Sequence, residues 1–265
     1  MPELPDVETF KRYLDATSLH QRIDDVDVRK AYILKDTSAR ILARKLKGRR
    51  FKSSRRHGKH LFVRADDDVW LRLHFGMTGS LHYFKNDEQA PRHARVLFAF
   101  ANNHRLAFDD QRQFGQIGFI ENVDEYLEKR ALGPDALDLD LAKFRKILRK
   151  HRGAVKSILL NQQLIAGIGN IYADEILFRV RLHPATEISR LGDKGLAKLF
   201  RATRYILERA IEAKADVNQM PKSWLLPHRG KSGKCPRCGR KLRSAKIGGR
   251  TAWFCAHCQK RTFGT

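Results

Sequence analysis

The four cysteines of the chain lie near its C-terminus and restrict what this region can become. They form two pairs with two residues inside each pair and 16 between the pairs (255 − 238 − 1): Cys235, Cys238, Cys255 and Cys258. This spacing lets both thiolates of a pair face one ion, and two pairs complete a tetrahedral zinc site. Because four protein ligands leave no position for water, we predict one structural Zn²⁺. Two pairs of free thiols are the alternative.

The segment between the cysteine pairs predicts a β-hairpin. The run SAKIGGRTAWF (244–254) alternates around Gly248–Gly249, and Gly-Gly between two strand-like runs favours a tight turn. Arg250 follows that turn and is placed to contact a phosphate, although a solvated surface arginine would give the same pattern. No Asp or Glu occurs after Asp216, so the C-terminal module (217–265) is strongly basic.

The first half of the chain has the pattern of a β-sheet domain. An amphipathic helix is expected over residues 5–18, where Pro5 suits the first turn. Over residues 22–123, short β-branched and aromatic runs such as KHLFVRA and DVWLRLHF alternate with period two, and one helix interrupts them near 37–46. Many short strands of this kind indicate a β-sandwich.

A change of pattern marks the second half. LGPDAL (132–137) punctuates the chain, and residues 141–216 then carry apolar side chains at helical spacing. The predicted fold class is therefore α+β with two domains: an N-terminal β-sandwich flanked by helices (1–131), and a helical region (132–216) followed by the zinc module (217–265).

A glycine-rich turn precedes one of these helices. In LIAGIGNIYADEIL (164–177), Gly167 and Gly169 come just before Asn170, which suits the N-cap of a helix. Backbone amides at such a position bind phosphate, and Lys156 on the preceding helix could share it. A structural turn between two helices is equally consistent with this motif.

The charge of the chain indicates a polyanionic partner. The formal net charge is +24 and the sequence pI is about 10.3, which favours nucleic acid over a small-molecule substrate. A basic protein without such a partner is the alternative. No signal-peptide pattern and no run of about 18 apolar residues occurs. We therefore expect a monomer without membrane association, in the cytoplasm and, in a bacterium, on the nucleoid.

Several motifs spread over nearly the whole chain resemble the formamidopyrimidine-DNA glycosylases and their endonuclease VIII relatives. They are PELPDVE, RRHGKHL, LHFGMTGSL, DDQRQFG, LGPDAL, VKSILLNQQLIAGIGNIYADEIL and FCAHCQK. The N-terminus resembles the formamidopyrimidine branch more closely. The resemblance implies a helix-two-turn-helix DNA-binding domain for residues 132–216, a zinc finger, and double-stranded DNA containing oxidised bases or abasic sites as the partner.

The resemblance also implies an enzyme of base-excision repair that is both a glycosylase and an abasic-site lyase. In this family the initiator Met is removed and the new N-terminal proline is the nucleophile, which is Pro2 here. Glu3 is then the general acid/base, and Lys59 contacts a phosphate and assists. The expected DNA-contacting residues are Lys156, Asn170, Arg250, Met77, Arg112, Phe114 and His93.

The chemistry of the first residues is consistent with these roles. An unprotonated secondary amine is nucleophilic, and an α-amine titrates near ~8, far below lysine. Attack of Pro2 on the sugar C1′ would give an iminium ion, and that cation acidifies the neighbouring C–H so that β- and then δ-elimination follow. The adjacent Glu3 carboxyl can exchange protons with the opening sugar. We expect its basic surroundings to favour the ionised form.

Three side chains match residues that fill the space left by an everted base. Eversion costs a few kcal/mol, and less for a weakened pair. The flexible thioether of Met77 and the planar groups of Arg112 and Phe114 can occupy that space. Taken without the resemblance, core packing is the simpler interpretation of Met77 and Phe114.

Three features depart from the family pattern. Asp6 stands where Glu is usual, Gln113 stands where an arginine is common, and segment 215–234 is shorter than the loop that caps 8-oxoguanine in the family. We predict formamidopyrimidine and 8-oxoguanine-type purines as substrates, with oxidised pyrimidines or hydantoins as the alternative.

Two other classes of protein fit part of the sequence. A non-catalytic zinc-finger DNA-binding protein would use the finger and the helical turn alone, but the intact Pro2–Glu3 pair and Lys59 argue against it. A zinc-ribbon protein bound to RNA or ribosomes would explain the basic C-terminus and leave the N-terminal motif without a role.

Overall fold

The computed structural model describes residues 1–261, and the chain forms two compact units. The sheet unit contains Met1–Pro2 and Asp6–Ala131. The helical unit contains Glu3–Pro5 and the chain from Leu132 onward. The first helix, α1 (Leu4–Ser18), therefore begins in the helical unit and continues in the sheet unit.

The sheet unit consists of two four-stranded antiparallel sheets with three helices. One sheet has the order β1-β6-β7-β5 and the other β2-β3-β4-β8. The strands are β1 (Ile23–Val28), β2 (Phe51–His57), β3 (His60–Ala65), β4 (Trp70–His74), β5 (Gly79–Lys85), β6 (Ala94–Phe100), β7 (His104–Asp110) and β8 (Gln116–Ile120). The helices besides α1 are α2 (Ala39–Leu46) and α3 (Val123–Lys129).

The inner faces of both sheets share one hydrophobic core, as the period-two pattern predicts. Leu61 and Val63 of β3 alternate inward and meet Val96 and Phe98 of β6 in that core. Phe62 points to the other face and is nevertheless buried, because the ring of Tyr126 on α3 lies 5.7 Å from its own. The helix α3 thus covers part of the outer face of this sheet.

The helical unit is built on four helices and a hairpin. They are α4 (Leu141–Arg149), α5 (Val155–Leu160), α6 (Asn170–Arg179), α7 (Asp193–Glu212), and the hairpin of β9 (Arg243–Ile247) with β10 (Arg250–Phe254). α6 is buried over most of its length, so it is the central helix of this core. The expected fold class, a helix-flanked β-sandwich with a helical region and a zinc hairpin, is confirmed.

The segment between α7 and the first cysteine is folded against α6. Trp224 and Leu225 are buried, and the Leu226 amide donates to Glu175 Oε2 at 2.8 Å. Burial raises the pKa of that Glu175 carboxyl to about 7. Within residues 1–261, no helix combines the length and the apolar composition needed to cross a bilayer.

Candidate functional site

The Glu3 carboxylate occupies the N-terminal end of α6. Its Oε2 accepts hydrogen bonds from the amides of Gly169 (2.9 Å) and Tyr172 (3.1 Å), and its Oε1 accepts one from Ile171 (2.8 Å). The side chain is buried, with the residue 1% exposed. Amides of a first helical turn have no partner within the helix, and the helix dipole favours a negative charge beside them. The arrangement therefore stabilises Glu3 as an anion.

This contact corrects the prediction that Asn170 caps α6 and that the amides of the turn bind phosphate. The capping position falls on Gly169, whose side chain offers no acceptor, and Glu3 takes that role. A charged carboxylate with two oxygens satisfies three amides, whereas one Asn oxygen cannot. Gly169 is required here, because a Cβ would lie 2.2 Å from Cδ of Glu3. Asn170 instead donates its Nδ2 to the Thr251 carbonyl at 3.0 Å.

The residue after Glu3 anchors the start of the chain. The Leu4 amide donates to the Gly167 carbonyl at 3.1 Å, and the Leu4 side chain is fully buried in the core of the helical unit. Pro2 is half-buried and precedes these two anchored residues directly in the chain, while Met1 is exposed.

A buried charge network lies on α6 one turn beyond Asn170. Asp174 Oδ1 accepts from Nζ of Lys156 at 2.6 Å, and its Oδ2 accepts from Arg229 at 2.8 Å and from the Trp253 amide at 3.0 Å. The Lys156 and Asp174 side chains are both fully buried. Burial lowers the pKa of the Lys156 ammonium, and the charge of Asp174 acts in the opposite direction.

This network corrects the prediction of Lys156 as a direct phosphate contact. The Lys156 ammonium has no exposed surface and is already paired with the Asp174 carboxylate. A buried charge requires such a partner, so the ammonium is not available to a phosphate in this structure. Nζ of Lys156 also lies 3.4 Å from the Thr251 carbonyl, on the hairpin. Lys156 and Asp174 therefore hold strand β10 against α6, and their role in this structure is to position the hairpin.

The hairpin presents the predicted arginine. Its turn is Gly248–Gly249, as predicted, and Arg250 follows it as the exposed first residue of β10. Because Asn170 and Asp174 both hold β10, the same helix that receives Glu3 also fixes the strand that carries Arg250.

The four cysteine sulfurs form one cluster that fits a metal ion. All four Sγ atoms lie within 4.8 Å of one another, with Cys235–Cys258 at 3.9 Å and Cys238–Cys255 at 3.6 Å. A tetrahedral zinc site with Zn–S bonds of about 2.3 Å needs sulfurs about 3.8 Å apart. The predicted structural zinc, one ion with four thiolate ligands, is therefore confirmed.

Two loops of the sheet unit bring together the residues predicted to fill the space of an everted base. Met77 is 37% exposed and Phe114 is 55% exposed, so neither is a core residue. The Arg112 guanidinium lies 5.3 Å from the centre of the Phe114 ring. The loops approach closely at Gly76, where a Cβ would lie 2.4 Å from the carbonyl carbon of Phe114.

A buried carboxylate supports both loops. Asp110 Oδ1 accepts from the Thr78 hydroxyl at 2.5 Å, and Oδ2 accepts from the Gly115 amide at 2.7 Å. Thr78 in turn accepts from the Arg112 amide at 2.9 Å. The loop backbones are therefore fixed while the three side chains stay exposed. His93 is half-buried, and its carbonyl accepts from the Asp110 amide at 3.0 Å.

Lys59 lies in the two-residue turn between β2 and β3 and is half-buried. Burial, the charge of Arg72 and the charge of Lys59 lower the pKa of His74 to about 4. Burial and the charge of His74 also lower the pKa of His60 well below its usual value. Both imidazoles are therefore neutral near pH 7, and the positive charges beside His74 are those of Arg72 and Lys59.

Sequence reasoning missed Asp110 and Asp174, the two carboxylates that position these residues. The signal for Asp174 was present, because tandem acids interrupt an otherwise apolar run in NIYADEIL. A carboxylate in such a run requires buried partners. Asp110 is the last residue of the alternating strand β7 and gave no comparable signal.

Comparison with protein families and solved structures shows which family carries this architecture. Residues 1–117 match the formamidopyrimidine-DNA glycosylase N-terminal domain, and residues 132–221 match the H2TH domain of the same glycosylases. Residues 232–261 match the zinc finger found in FPG and IleRS. The fold and the domain matches together define a DNA glycosylase of base-excision repair.

The chain belongs to the formamidopyrimidine-DNA glycosylase family, as its motifs indicated. A formamidopyrimidine-DNA glycosylase from Pelotomaculum thermopropionicum is 34% identical over 274 residues, which cover 98% of this chain and 99% of that relative. The corresponding protein of Bacillus licheniformis is 34% identical over 276 residues, with 98% and 100% covered.

Solved structures agree with this assignment. The formamidopyrimidine-DNA glycosylase of Lactococcus lactis, non-covalently bound to DNA with an AP site, has a TM-score of 0.88 at 33% identity and covers 97% of this chain and 99% of its own. The wild-type enzyme in complex with DNA containing N7-benzyl-Fapy-dG has a TM-score of 0.87 at 31% identity, with 98% and 100% covered.

Proposed function

We propose that this glycosylase acts through a Schiff base of Pro2 and is also an abasic-site lyase. The observation that carries the proposal is the Glu3 carboxylate, held by three amides of α6 and preceded directly by Pro2. A carboxylate fixed by backbone donors next to a terminal secondary amine is an acid/base group beside a nucleophile. In the proposed division of labour, residues 1–131 are catalytic, 132–216 bind DNA, and 217–265 carry the zinc module.

The proposed reaction begins after removal of Met1. The neutral Pro2 nitrogen attacks C1′ of the damaged nucleotide, a new N–C1′ bond forms, and the glycosidic C1′–N bond breaks, so that the base leaves and takes a proton from water. The Glu3 carboxylate accepts the proton that the Pro2 nitrogen carries after the attack and delivers it to the ring oxygen as the sugar opens, which gives the iminium ion. Loss of a C2′ proton then expels the 3′ phosphate by β-elimination, and a second elimination expels the 5′ phosphate.

The other predicted residues act on the DNA. Arg250, Asn170 and Lys59 contact phosphates of double-stranded DNA with an oxidised base or an abasic site. Lys156 contributes by holding strand β10, and His93 contacts the DNA near the loop that Asp110 supports. In the same scheme the everted base leaves a space that is filled by a separate group of exposed side chains, namely Met77, Arg112 and Phe114.

The names of the relatives favour formamidopyrimidine and 8-oxoguanine-type purines as substrates, and the bound Fapy-dG derivative of the Lactococcus lactis enzyme agrees with this. A second candidate is an oxidised pyrimidine or a hydantoin. It is favoured by segment 215–234, which is short and packs Trp224 and Leu225 against α6 rather than extending as a long capping loop.

Trapping with borohydride tests the chemistry. Met-processed protein is incubated with duplex DNA containing an abasic site, reduced, and digested for mass spectrometry. We expect a covalent adduct on the Pro2 nitrogen. Protein that retains an N-terminal tag is the matched control, and it should bind zinc but form no adduct. An adduct mapped to a lysine, or strand cleavage without any adduct, would contradict the proposal.

Single-turnover rates separate the two substrate candidates. Duplexes identical except for the lesion carry 8-oxoguanine, formamidopyrimidine, a hydantoin or thymine glycol. The purine proposal predicts that formamidopyrimidine or 8-oxoguanine opposite cytosine is removed fastest. Faster removal of the hydantoin or thymine glycol would support the second candidate and overturn the first.

A further inference from the structure

A groove of about 500 Å³ lies at the C-terminal end of α6 in the helical unit. Five of the residues that line it are basic and none is acidic: Arg179, Arg181, Lys198, Arg201 and Arg237. The remaining lining residues are Val180, Ala202 and Tyr205. The groove is therefore a concentrated cationic surface with one aromatic side chain in it.

The groove is separate from the Glu3 site within this unit. Glu3 binds the amides at the first residues of α6, whereas Arg179 is the last residue of that helix. At 1.5 Å per residue, the two ends of α6 lie roughly 14 Å apart. The opposite wall comes from α7, where Lys198, Arg201 and Tyr205 are spaced by three and four residues and share one face.

Two of the guanidinium groups are held in place by contacts with the protein. Arg179 stacks on the ring of Tyr205, with 3.6 Å between its central carbon and the ring centre. Arg237 lies 4.1 Å from the ring centre of Phe178 and donates to the Phe178 carbonyl at 2.6 Å. Planar guanidinium groups fixed in this way lose little side-chain entropy when they bind an anion.

The four arginines of the groove also lack a direct ion pair, and Arg237 interacts with Glu175, Cys235 and Cys258 only at longer range. Among residues 1–261, no carboxylate forms an ion pair with any of Arg179, Arg181, Arg201 or Arg237. Other arginines of α7 are paired, as shown by Arg209 with Glu212 at 2.5 Å. Four arginines without a direct carboxylate partner thus line one concave surface.

We propose that this groove binds the phosphate backbone of undamaged DNA, at a segment different from the one that the Glu3 site engages. Guanidinium groups match phosphate oxygens in geometry and charge. The groove gathers four of them, from α6, α7, the residue pair after α6 and the first cysteine pair, and such a set fits a repeating anion better than a single one. A backbone contact of this kind carries no sequence information. The proposed binding at the groove does not depend on the base-excision chemistry and goes beyond it.

The test compares two double variants with the same change in charge. Arg179→Gln/Arg201→Gln removes two groove cations, and Lys194→Gln/Arg209→Gln removes two cations of α7 outside the groove. Fluorescence anisotropy measures binding to a long undamaged duplex between about 50 and 200 mM salt. The groove variant should bind about tenfold more weakly, and the slope of log K against log salt should be smaller in magnitude by about 1.8, for two lost phosphate contacts. The control variant should keep the wild-type slope.

A second measurement separates this groove from the catalytic site. Single-turnover cleavage of a short duplex with an abasic site should stay within about twofold of the wild-type rate in both variants, because such a duplex occupies one site only. Arg181→Gln/Arg201→Gln repeats the test with side chains that do not stack on Tyr205, and thermal unfolding confirms that each variant is folded. An unchanged salt slope in both groove variants would overturn the proposal. Loss of abasic-site cleavage equal to the loss of binding would also overturn it.

Discussion

The two units of the molecule differ in the ionisable groups that lie around their predicted functional residues. The helical unit buries ionised groups with their partners, as with Glu3 on the α6 amides and Lys156 on Asp174. In the sheet unit, the half-buried imidazoles of His60 and His74 have lowered pKa values, which keep them neutral near pH 7. The predicted DNA-directed side chain Arg112 stays exposed there.

This difference separates two kinds of function. Burying charged groups costs desolvation energy, and only well-placed partners offset that cost. A site built from such groups is therefore rigid before any ligand binds. Exposed side chains on fixed loops keep their freedom and can enter a DNA duplex. In the proposed function, the helical unit would therefore supply a preformed acid/base centre, and the sheet unit would supply adaptable contacts.

The largest effect is expected from Glu3→Gln. The amide group cannot exchange protons as the carboxylate does, and its NH₂ end cannot accept from the α6 amides. Base release should fall by about 10²–10⁴-fold in single-turnover assays. Glu212→Gln, which alters a surface acid paired with Arg209, should keep the wild-type rate. Equal rates for the two variants would show that Glu3 takes no part in the reaction.

Asp174→Asn should have the next largest effect, on stability. It leaves the fully buried Lys156 ammonium without its carboxylate, and breaking a buried pair in this way costs about 3–5 kcal/mol. Urea unfolding measures the change. The double variant Lys156→Met/Asp174→Leu removes both charges and should recover much of the lost stability, but it should still weaken DNA binding because strand β10 is no longer held. A double variant as unstable as Asp174→Asn would show that the unpaired Lys156 charge is not the cause.

One carboxyl of the helical unit and one imidazole of the sheet unit should respond to pH in opposite directions. Glu175 in the helical unit has a pKa of about 7, above its usual value, so the folded state holds the proton more tightly and stability falls as pH rises from about 4.5 to 7. His74 has a pKa of about 4, below its usual value, so stability falls as pH decreases from about 6.5 to 4. Each effect amounts to roughly 2–4 kcal/mol over its window.

Differences in Tm between wild type and variants across pH 4–8 check both signs. Glu175→Gln should remove the loss of stability toward neutral pH, and His74→Gln should remove the loss toward acid. A Glu175→Gln variant whose Tm difference from wild type does not change with pH would refute the assignment to this carboxyl.

The smallest effect is expected from Phe114→Ala. The side chain is 55% exposed, so folding stability should change by less than about 0.5 kcal/mol. Base release from a paired lesion should slow by about tenfold, since filling the vacated space offsets part of the few kcal/mol needed for eversion. A lesion with no opposite base needs less eversion energy and should be affected less. Equal slowing on both DNAs would contradict the role of Phe114.

The features that sequence reasoning predicted are those set by local pattern. Period-two runs predicted the sandwich, Gly248–Gly249 predicted the hairpin turn, and cysteine spacing predicted the metal cluster. The cap of α6 could not be predicted in this way. Its acceptor, Glu3, lies 166 residues from Gly169 in the chain, and nothing near Asn170 indicates that the amides are already occupied.

The burial of Lys156 escaped prediction for a related reason. A lysine beside a glycine-rich turn suggests a phosphate contact, and only the fold shows that Asp174, Arg229 and strand β10 enclose it. The partners come from three separate segments, so no local spacing encodes them.

Amide hydrogen exchange of the free protein tests most directly whether the acid/base centre is preformed. The amides of Gly169, Ile171 and Tyr172 should exchange slowly without DNA, change little when abasic-site DNA is added, and exchange much faster in Glu3→Gln. Fast exchange of these three amides in the free wild-type protein, becoming slow only on DNA, would contradict the account.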